Sequence, residues 1–223
     1  MFFTASVAPV VIGTAVGAKR AGILDGTALA LALTSVICVH ASVNVFNDVF
    51  DAMSGADQAN AARIHPFTGG SRFIQNGVMN GGEMATFAFV LLGVGSLLGA
   101  VLFALKSAAV LLFGAIGIAL GILYSLPPVQ LAGRGLGELA VAIGFGALPV
   151  MGGAWLQSGA LSLQALLLSL PLGCWIAAVL IANEVPDAAA DAAAGKRTLV
   201  VRDRKSTRLN SSHIQKYRMP SSA

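Results

Sequence analysis

Six long apolar stretches constrain this chain more than any other feature of its sequence. A helix that crosses a bilayer needs about 20 mostly apolar residues. Hydrophobic residues make up 56% of the chain and charged residues 11%, a composition typical of helical membrane proteins. The sequence therefore predicts an all-α bundle of about six transmembrane helices. The stretches run from about 2 to 18, 27 to 46, 84 to 105, 107 to 124, 138 to 157 and 161 to 183.

Residues 203–223 differ sharply from the rest of the chain. They show no apolar periodicity, the part from Asp203 to His213 resembles the translation of a common sequencing adapter, and the part from Arg218 to Ala223 resembles the adapter's far end. We interpret residues 203–223 as a non-native tail, with a genuine disordered terminus as the alternative. Fold reasoning therefore uses residues 1–202 as one transmembrane domain.

The net charge depends on this boundary. The tail holds five of the 14 Lys and Arg residues and one of the 10 Asp and Glu residues, which leaves nine of each. A neutral domain gives no reason to expect nucleic acid as a partner, and the expected partner is the lipid bilayer. Cys38 and Cys174 lie within apolar stretches, where cysteine behaves as a small hydrophobic residue, so we expect no disulfide.

Alternate loops of a six-helix chain lie on the same side of the membrane. The second loop (about 47 to 83), the fourth loop (125 to 138) and the segment after the sixth span hold most of the acids and six of the nine bases. An excess of Lys and Arg marks the cytoplasmic side. We therefore expect these loops on the cytoplasmic face of a bacterial or archaeal plasma membrane.

A dense polar motif lies at the end of the second span. His40, Asn44 and Asp48 recur at intervals of four residues and so share one helix face with Asp51. Carboxylates at membrane depth are costly unless they pair, face a polar cavity or bind an ion. The motif therefore predicts a binding site, with a solvated helix end as the alternative. Its members are Asn44, Asn47, Asp48, Asp51 and Asp57.

A second polar motif lies at the end of the sixth span. Asn183, Asp187 and Asp191 are spaced by four residues and share a helix face. Mg²⁺ prefers oxygen ligands and is commonly held by carboxylates together with substrate phosphate. Two acidic helix ends on one membrane face, with no cluster of His and Cys, therefore predict a site for Mg²⁺ and a diphosphate. A solvated helix end is again the alternative.

Three basic residues are candidates for binding phosphate oxygens. Arg72 lies in the second loop, Arg134 in the fourth loop and Lys196 after the second polar motif. Guanidinium and ammonium groups bind phosphate through charge-assisted hydrogen bonds. The alternative for each is an anchor at the membrane surface.

Six segments of the chain carry a family resemblance. They are Asn47-Asp-Val-Phe-Asp51, Gly55-Ala-Asp57, Tyr124-Ser-Leu-Pro-Pro128, Arg134-Gly-Leu-Gly-Glu138, Asp187-Ala-Ala-Ala-Asp191 and Gly195-Lys-Arg-Thr-Leu199. Together they resemble the UbiA prenyltransferase superfamily, most closely the 1,4-dihydroxy-2-naphthoate polyprenyltransferases of menaquinone synthesis. The commoner family pattern has its last acid four residues after Asp51, where this chain has Gly55, so Asp57 would substitute for it. Members typically have nine transmembrane helices, so this chain resembles one that lacks the last three.

The resemblance implies Mg²⁺-dependent transfer of a polyprenyl group from polyprenyl diphosphate to an aromatic acceptor, with 1,4-dihydroxy-2-naphthoate expected. Alternatives are another acceptor, such as 4-hydroxybenzoate or homogentisate, and a cation-coupled transporter, which would place carboxylates near mid-span. Asp51, Asp187 and Asp191 are the expected catalytic residues. The expected metal ligands are Asp48, Asp51, Asp57, Asp187 and Asp191. The expected diphosphate ligands are Asn44, Asn47, Arg72, Arg134, Asn183 and Lys196.

Overall fold

The computed structural model describes residues 3–54, 70–126 and 128–203, and these parts of the chain contain helices and turns but no strand. A π-helical segment, Ala142–Ala147, joins two of the helices into one rod from Gly137 to Ser158. The predicted all-α architecture is confirmed. The helices are α1 (Thr4–Ala21), α2 (Gly26–Ser54), α3 (Gly81–Leu105), α4 (Ala109–Ser125), α5 (Gly137–Val141), α6 (Leu148–Ser158) and α7 (Leu163–Ala193).

Six helical rods occupy the positions of the six predicted spans. Four of them, Gly26–Met53, Gly81–Leu105, Gly137–Ser158 and Leu163–Ala193, are long and apolar enough to cross a membrane. The other two rods are shorter. Helix α1 has 18 residues, with Lys19 and Arg20 in its last turn, and α4 has 17. The chain is therefore an integral membrane protein with four full-length spans among its described helices.

The outer surface of the rods is apolar. Phe89, Leu97 and Trp175 are 64%, 66% and 60% exposed although they lie within long apolar helices. Side chains of this kind are stable on a surface only where lipid replaces water as the solvent. These faces are therefore the lipid-facing faces of the bundle.

Local sequence signals set the helix ends. Asn80 starts α3 with a capping box, in which its side chain accepts from the Glu83 N–H at 2.9 Å and the Glu83 carboxylate accepts from the Asn80 N–H at 2.8 Å. Gly22 ends α1 and Gly159 ends α6 in the left-handed conformation, with φ of 74° and 68°. These capping residues end or begin the helices at the turns that connect the rods.

Helices α1 and α6 pack at backbone contact through small residues. A Cβ atom added to Gly13 would lie 2.1 Å from the carbonyl oxygen of Val150, and one added to Gly153 would lie 2.8 Å from the carbonyl oxygen of Val10. The π segment packs on α7 in the same way, since a Cβ on Gly146 would lie 2.6 Å from the Cα of Gly173. Such contacts are how helices associate where lipid removes the hydrophobic driving force.

The described loops gather at two opposite ends of the bundle, as loop parity predicted. At one end, which we term the motif end, the Arg197 N–H donates to the carbonyl of Gly133 at 2.8 Å. At the other end, Lys106 pairs with Asp25 at 2.7 Å and the Asp25 N–H donates to Gln157 at 2.8 Å. Both acidic helix ends therefore lie together at the motif end.

We expect Gly13→Ala to destabilise the bundle, because the added methyl group meets backbone atoms of α6 that cannot rotate away. Overpacking of this kind costs about 1–3 kcal/mol. The measurement is thermal unfolding of the purified protein in detergent, followed by helical circular dichroism.

Gly93→Ala is the matched control, because a Cβ at Gly93 meets nothing within 4 Å. It makes the same chemical change inside α3 and should leave the melting temperature unchanged or slightly raised. Equal losses in the two variants would contradict the packing that we describe between α1 and α6.

Candidate active site at the ends of two acidic helices

A cavity of about 980 Å³ runs through the bundle between α2, α3, α4, the π segment and α7. Most of its wall is apolar and includes Val36, Val39, Leu148, Ile176 and Leu180. Its motif end is polar, and both sequence motifs contribute to that end. The polar residues that line this end include Asn44, Asn47 and Asp48 of α2, Tyr124 of α4, and Asn183, Glu184 and Asp187 of α7.

Lys196 joins the two acidic helix ends. Its Nζ atom lies 2.8 Å from Oδ1 of Asp51 at the end of α2 and 3.5 Å from Oδ1 of Asp191 at the end of α7. All three side chains are less than a fifth exposed. The two carboxylates would repel each other if no positive charge lay between them. The ammonium group therefore offsets part of the negative charge of the site in this structure.

Lys196 keeps its positive charge throughout the physiological pH range. Burial disfavours its charged form, but Asp51 and Asp191 outweigh that effect and raise the pKa of the ammonium above its ordinary value. Stability that depends on a raised lysine pKa is present below the ordinary lysine pKa and is lost only as the pH rises through the raised value. The bridge between α2 and α7 therefore persists at neutral pH.

The amides of α2 are oriented within their own helix. The Asn47 side chain donates through Nδ2 to Oδ2 of Asp51 at 3.1 Å, and Asn44 donates through Nδ2 to the carbonyl of His40 at 2.9 Å. His40 is itself held by Ser6, whose Oγ lies 2.6 Å from Nδ1 of the ring. The spacing of four residues thus produces an ordered polar face.

The second loop folds back onto Asp48. The Ser71 N–H donates to Oδ2 of Asp48 at 3.1 Å, and a Cβ atom on Gly70 would lie 2.7 Å from Oδ1 of the same carboxylate. Gly70 and Arg72 both adopt positive φ, 64° and 56°. Ser71 and Phe73, on either side of Arg72, line the cavity, so this stretch brings Arg72 to the motif end.

Arg134 borders a different cavity. Its guanidinium donates to the carbonyl of Pro128 at 2.6 Å and is exposed. The neighbouring cavity of about 550 Å³ is lined by Arg134, Lys196, Arg197 and Arg202 among others. Lys196 lines this basic cavity and also pairs with Asp51 and Asp191. Arg134 and Lys196 therefore border the same cavity.

The predicted acids meet at one end, but they do not form a compact metal cluster. Within residues 3–54, 70–126 and 128–203, no group of three or more His, Cys, Asp or Glu side chains is close enough to hold a metal ion. Asp48 and Asp187 line the cavity, whereas Asp51 and Asp191 hold Lys196. Oxygen donors of this kind suit Mg²⁺ that is shared with a phosphate. Asp57 lies outside the described residues.

Three polar residues at the site carried no predicted role. Tyr124 and Glu184 line the cavity, and Glu138, in the first turn of α5, is only 6% exposed. The rule that singled out the Asp motifs, the cost of an acid at membrane depth, applies equally to these two glutamates. Glu138 is a lone acid in its helix, and Glu184, three residues before Asp187, lies outside the four-residue spacing of Asn183, Asp187 and Asp191.

Comparison with known proteins decides the family. The model of the UbiA prenyltransferase family matches residues 6–215. This chain belongs to the UbiA prenyltransferase family. The match continues past Arg202 into the segment that we interpret as a tail, and that interpretation stays a prediction.

Three curated relatives are similar to most of the chain. The chain is 28% identical to "1,4-dihydroxy-2-naphthoate octaprenyltransferase" of Bacillus subtilis, with 89% of the chain and 61% of the relative covered. It is 31% identical to "2-carboxy-1,4-naphthoquinone phytyltransferase" of Synechocystis (90% and 62% covered) and 32% identical to the Mycobacterium tuberculosis protein with the same name as the first (88% and 65%). The chain thus spans a little over three fifths of these relatives.

We expect Lys196→Met to destabilise the protein in the absence of divalent cations, because it leaves Asp51 and Asp191 facing each other without a positive charge. Removing one partner from a buried ionic group costs about 3–5 kcal/mol. Added Mg²⁺ should restore part of the loss, since a cation can then neutralise the acids. The measurement is the melting temperature in chelator and in Mg²⁺.

Lys106→Met is the control for this experiment, because Lys106 pairs with Asp25 at the opposite end of the bundle and both side chains are more exposed, 25% and 39%. An exposed pair is worth about 0–1 kcal/mol. The control should melt nearly as the parent does, with no response to Mg²⁺. Indifference of the Lys196 variant to Mg²⁺ would contradict the role of these two acids.

Proposed function

We propose that this UbiA protein transfers a polyprenyl group from polyprenyl diphosphate to an aromatic acceptor, with Mg²⁺ as cofactor. One observation carries the proposal. The acids of the two motifs, far apart in the sequence, come together at the polar end of a long apolar cavity, where Lys196 lies between Asp51 and Asp191. This is the arrangement that an amphipathic donor needs, with an anionic head and an apolar chain.

The residues at the motif end would bind the diphosphate head. Asp51, Asp187 and Asp191, with Asp48, offer the carboxylate oxygens that would hold Mg²⁺, which supplies positive charge against the departing diphosphate. Asn47 positions the Asp51 carboxylate through its hydrogen bond. Lys196 would move from the acids toward phosphate as the head binds. The other proposed diphosphate ligands are Asn44, Asn183, Arg72 and Arg134, and Asp57 is the remaining proposed metal ligand.

The apolar part of the cavity would house the isoprenoid chain. Its walls of Val, Leu and Ile side chains exclude water from the allylic carbon as its bond to the diphosphate breaks. The electrons of that bond leave with the diphosphate, and the ring carbon of the acceptor forms the new bond. The ring then regains its aromaticity as that carbon loses the group that it carried, a proton or, where it bears the carboxylate, carbon dioxide. Shielding from water prevents hydrolysis of the cation-like centre. No covalent protein intermediate is required.

The proposed acceptor is 1,4-dihydroxy-2-naphthoate, which would place the protein in menaquinone synthesis. Two of the three relatives described above are named for this acceptor, and the third is named for a related naphthoquinone. The proposed location is a bacterial or archaeal plasma membrane with the motif end at the cytoplasmic face, because the motif-end loops carry the excess of Lys and Arg. The proposed transmembrane domain is residues 1–202.

We expect Asp51→Asn and Asp187→Asn each to lower turnover by about 10²–10³, the range for loss of one group that stabilises transition-state charge. The assay is Mg²⁺-dependent release of diphosphate from a polyprenyl diphosphate, with prenylated product measured in parallel. Running it with 1,4-dihydroxy-2-naphthoate, 4-hydroxybenzoate and homogentisate identifies the acceptor.

Asp25→Asn is the matched control, because Asp25 lies at the opposite end of the bundle. It should retain parental turnover. Undiminished activity in Asp51→Asn would overturn the proposed role of the acids. Cation uptake by proteoliposomes without any release of diphosphate would favour the transporter instead.

A further inference from the structure

Two glutamates, Glu138, which is buried, and Glu184, which is half-buried, lie beside the proposed diphosphate site and have no role in it so far. Glu138 comes from the first turn of α5 and Glu184 from α7. Glu138 is 6% exposed, and the Oε2 atoms of both side chains are buried. Two acids from different helices thus meet inside the protein.

Both glutamates bind the segment that follows Lys196. Oε1 of Glu138 accepts from the Leu199 N–H at 3.3 Å, and Glu184 is hydrogen-bonded to the hydroxyl of Thr198, a residue only 3% exposed. The two carboxyl groups also lie within hydrogen-bonding reach of each other. The pair therefore connects α5 and α7 to residues 198 and 199.

The second oxygen atom of each carboxyl group lacks a hydrogen-bond donor within the described part of the chain. Among the described residues, Oε2 of Glu138 and Oε2 of Glu184 have no hydrogen-bond donor. A buried acceptor without a donor costs about 1–3 kcal/mol, and two adjacent carboxylates cannot both ionise without strong repulsion. Asp191 and Tyr124, which also lie close to Glu184, add no positive charge.

We propose that Glu138 and Glu184 share one proton, and that this acid pair positions residues 196–199 so that the Lys196 ammonium lies between Asp51 and Asp191. One carboxylic acid then donates to the other carboxylate, which satisfies both oxygens and leaves a single negative charge. Neither glutamate is assigned to the chemistry. Both are positioning residues that act through Thr198, Leu199 and Lys196.

Loss of the shared proton would release this segment. Two negative charges would repel, and the contacts of Glu138 with Leu199 and of Glu184 with Thr198 could not both persist. Lys196 lies two residues before Thr198, so its distance to Asp51 depends on where residues 198 and 199 are held. The effect on turnover rests on the proposed function, whereas the proton and the position of the segment can be measured without it.

Infrared spectroscopy tests the proton directly. A protonated carboxyl group gives a carbonyl stretch that is separate from carboxylate bands and shifts in heavy water. We expect this band in the parent protein in lipid nanodiscs and its loss in both Glu138→Gln and Glu184→Gln. Glu83→Gln, at the exposed capping box of α3, should retain it. Absence of the band from the parent, or its survival in both glutamine variants, would overturn the proposal.

Hydrogen exchange tests the positioning. In Glu184→Gln the amide donates to the Glu138 carboxylate in place of the shared proton, so residues 196–202 should exchange at the parental rate. Glu184→Ala leaves Glu138 alone, and the same segment should exchange about tenfold faster, the equivalent of a lost buried hydrogen bond of about 1.4 kcal/mol. Thr198→Val removes one contact and, if Glu184→Ala does not fold, provides the same test.

Equal exchange of this segment in the parent, Glu184→Ala and Thr198→Val would overturn the positioning role. Measurement of diphosphate release then tests the proposed function separately from the proposed acid pair. If the acid pair behaves as expected in both measurements while no variant or parent releases diphosphate, the proposed function fails and the acid pair stands. If the parent releases diphosphate but the infrared band is missing, the acid pair fails and the function stands.

Discussion

The ammonium of Lys196 between Asp51 and Asp191 is the interaction on which the motif end depends. The two acids end helices that belong to different parts of the bundle, and Lys196 is 145 residues from Asp51 in the sequence. At the low effective dielectric of a partly buried site, two carboxylates without a cation between them would push α2 and α7 apart. The bridge therefore keeps the ends of α2 and α7 together, next to the polar end of the cavity.

The need for that bridge follows from how the helices pack. Gly13 and Gly153 bring α1 and α6 into backbone contact, and Gly146 and Gly173 do the same for the π segment and α7. Helix α2 instead packs on α3, where Oγ of Ser42 donates to the carbonyl of Ala88 at 2.8 Å. The cavity lies between these two packed groups. At the motif end, polar contacts therefore hold the helices together, as close packing does elsewhere in the bundle.

Helices, their faces and the grouping of the loops could be predicted from the sequence because all three depend on local patterns. The lengths of the apolar stretches predict the six rods, and loop parity predicts which loops share an end of the bundle. The four-residue spacing predicts that Asn183 and Asp187 share a helix face, and both residues line the cavity. Three-dimensional partners could not be predicted in this way. The spacing of residues within one helix does not show how far they lie from Lys196. Nor does it show that Glu138 of α5 meets Glu184 of α7. A Cβ atom added to Gly95 of α3 would lie 2.8 Å from Cγ2 of Val39, whereas one added to Gly99, one turn further along, would meet nothing within 4 Å. The position of the neighbouring helix decides which glycines are covered.

The surplus of negative charge at the motif end limits what can bind there. Asp48, Asp51, Asp187 and Asp191 gather around one ammonium, while Arg134 lies beyond it at the surface. A bare diphosphate would be repelled by these acids, and a bare cation would compete with Lys196 for them. A diphosphate that binds together with cations would avoid both effects. Its cations would neutralise the acids, and its oxygens would accept hydrogen bonds from the displaced Lys196 ammonium. Under the proposed function, this charge arrangement would therefore favour binding of the diphosphate together with its cations over binding of either component alone.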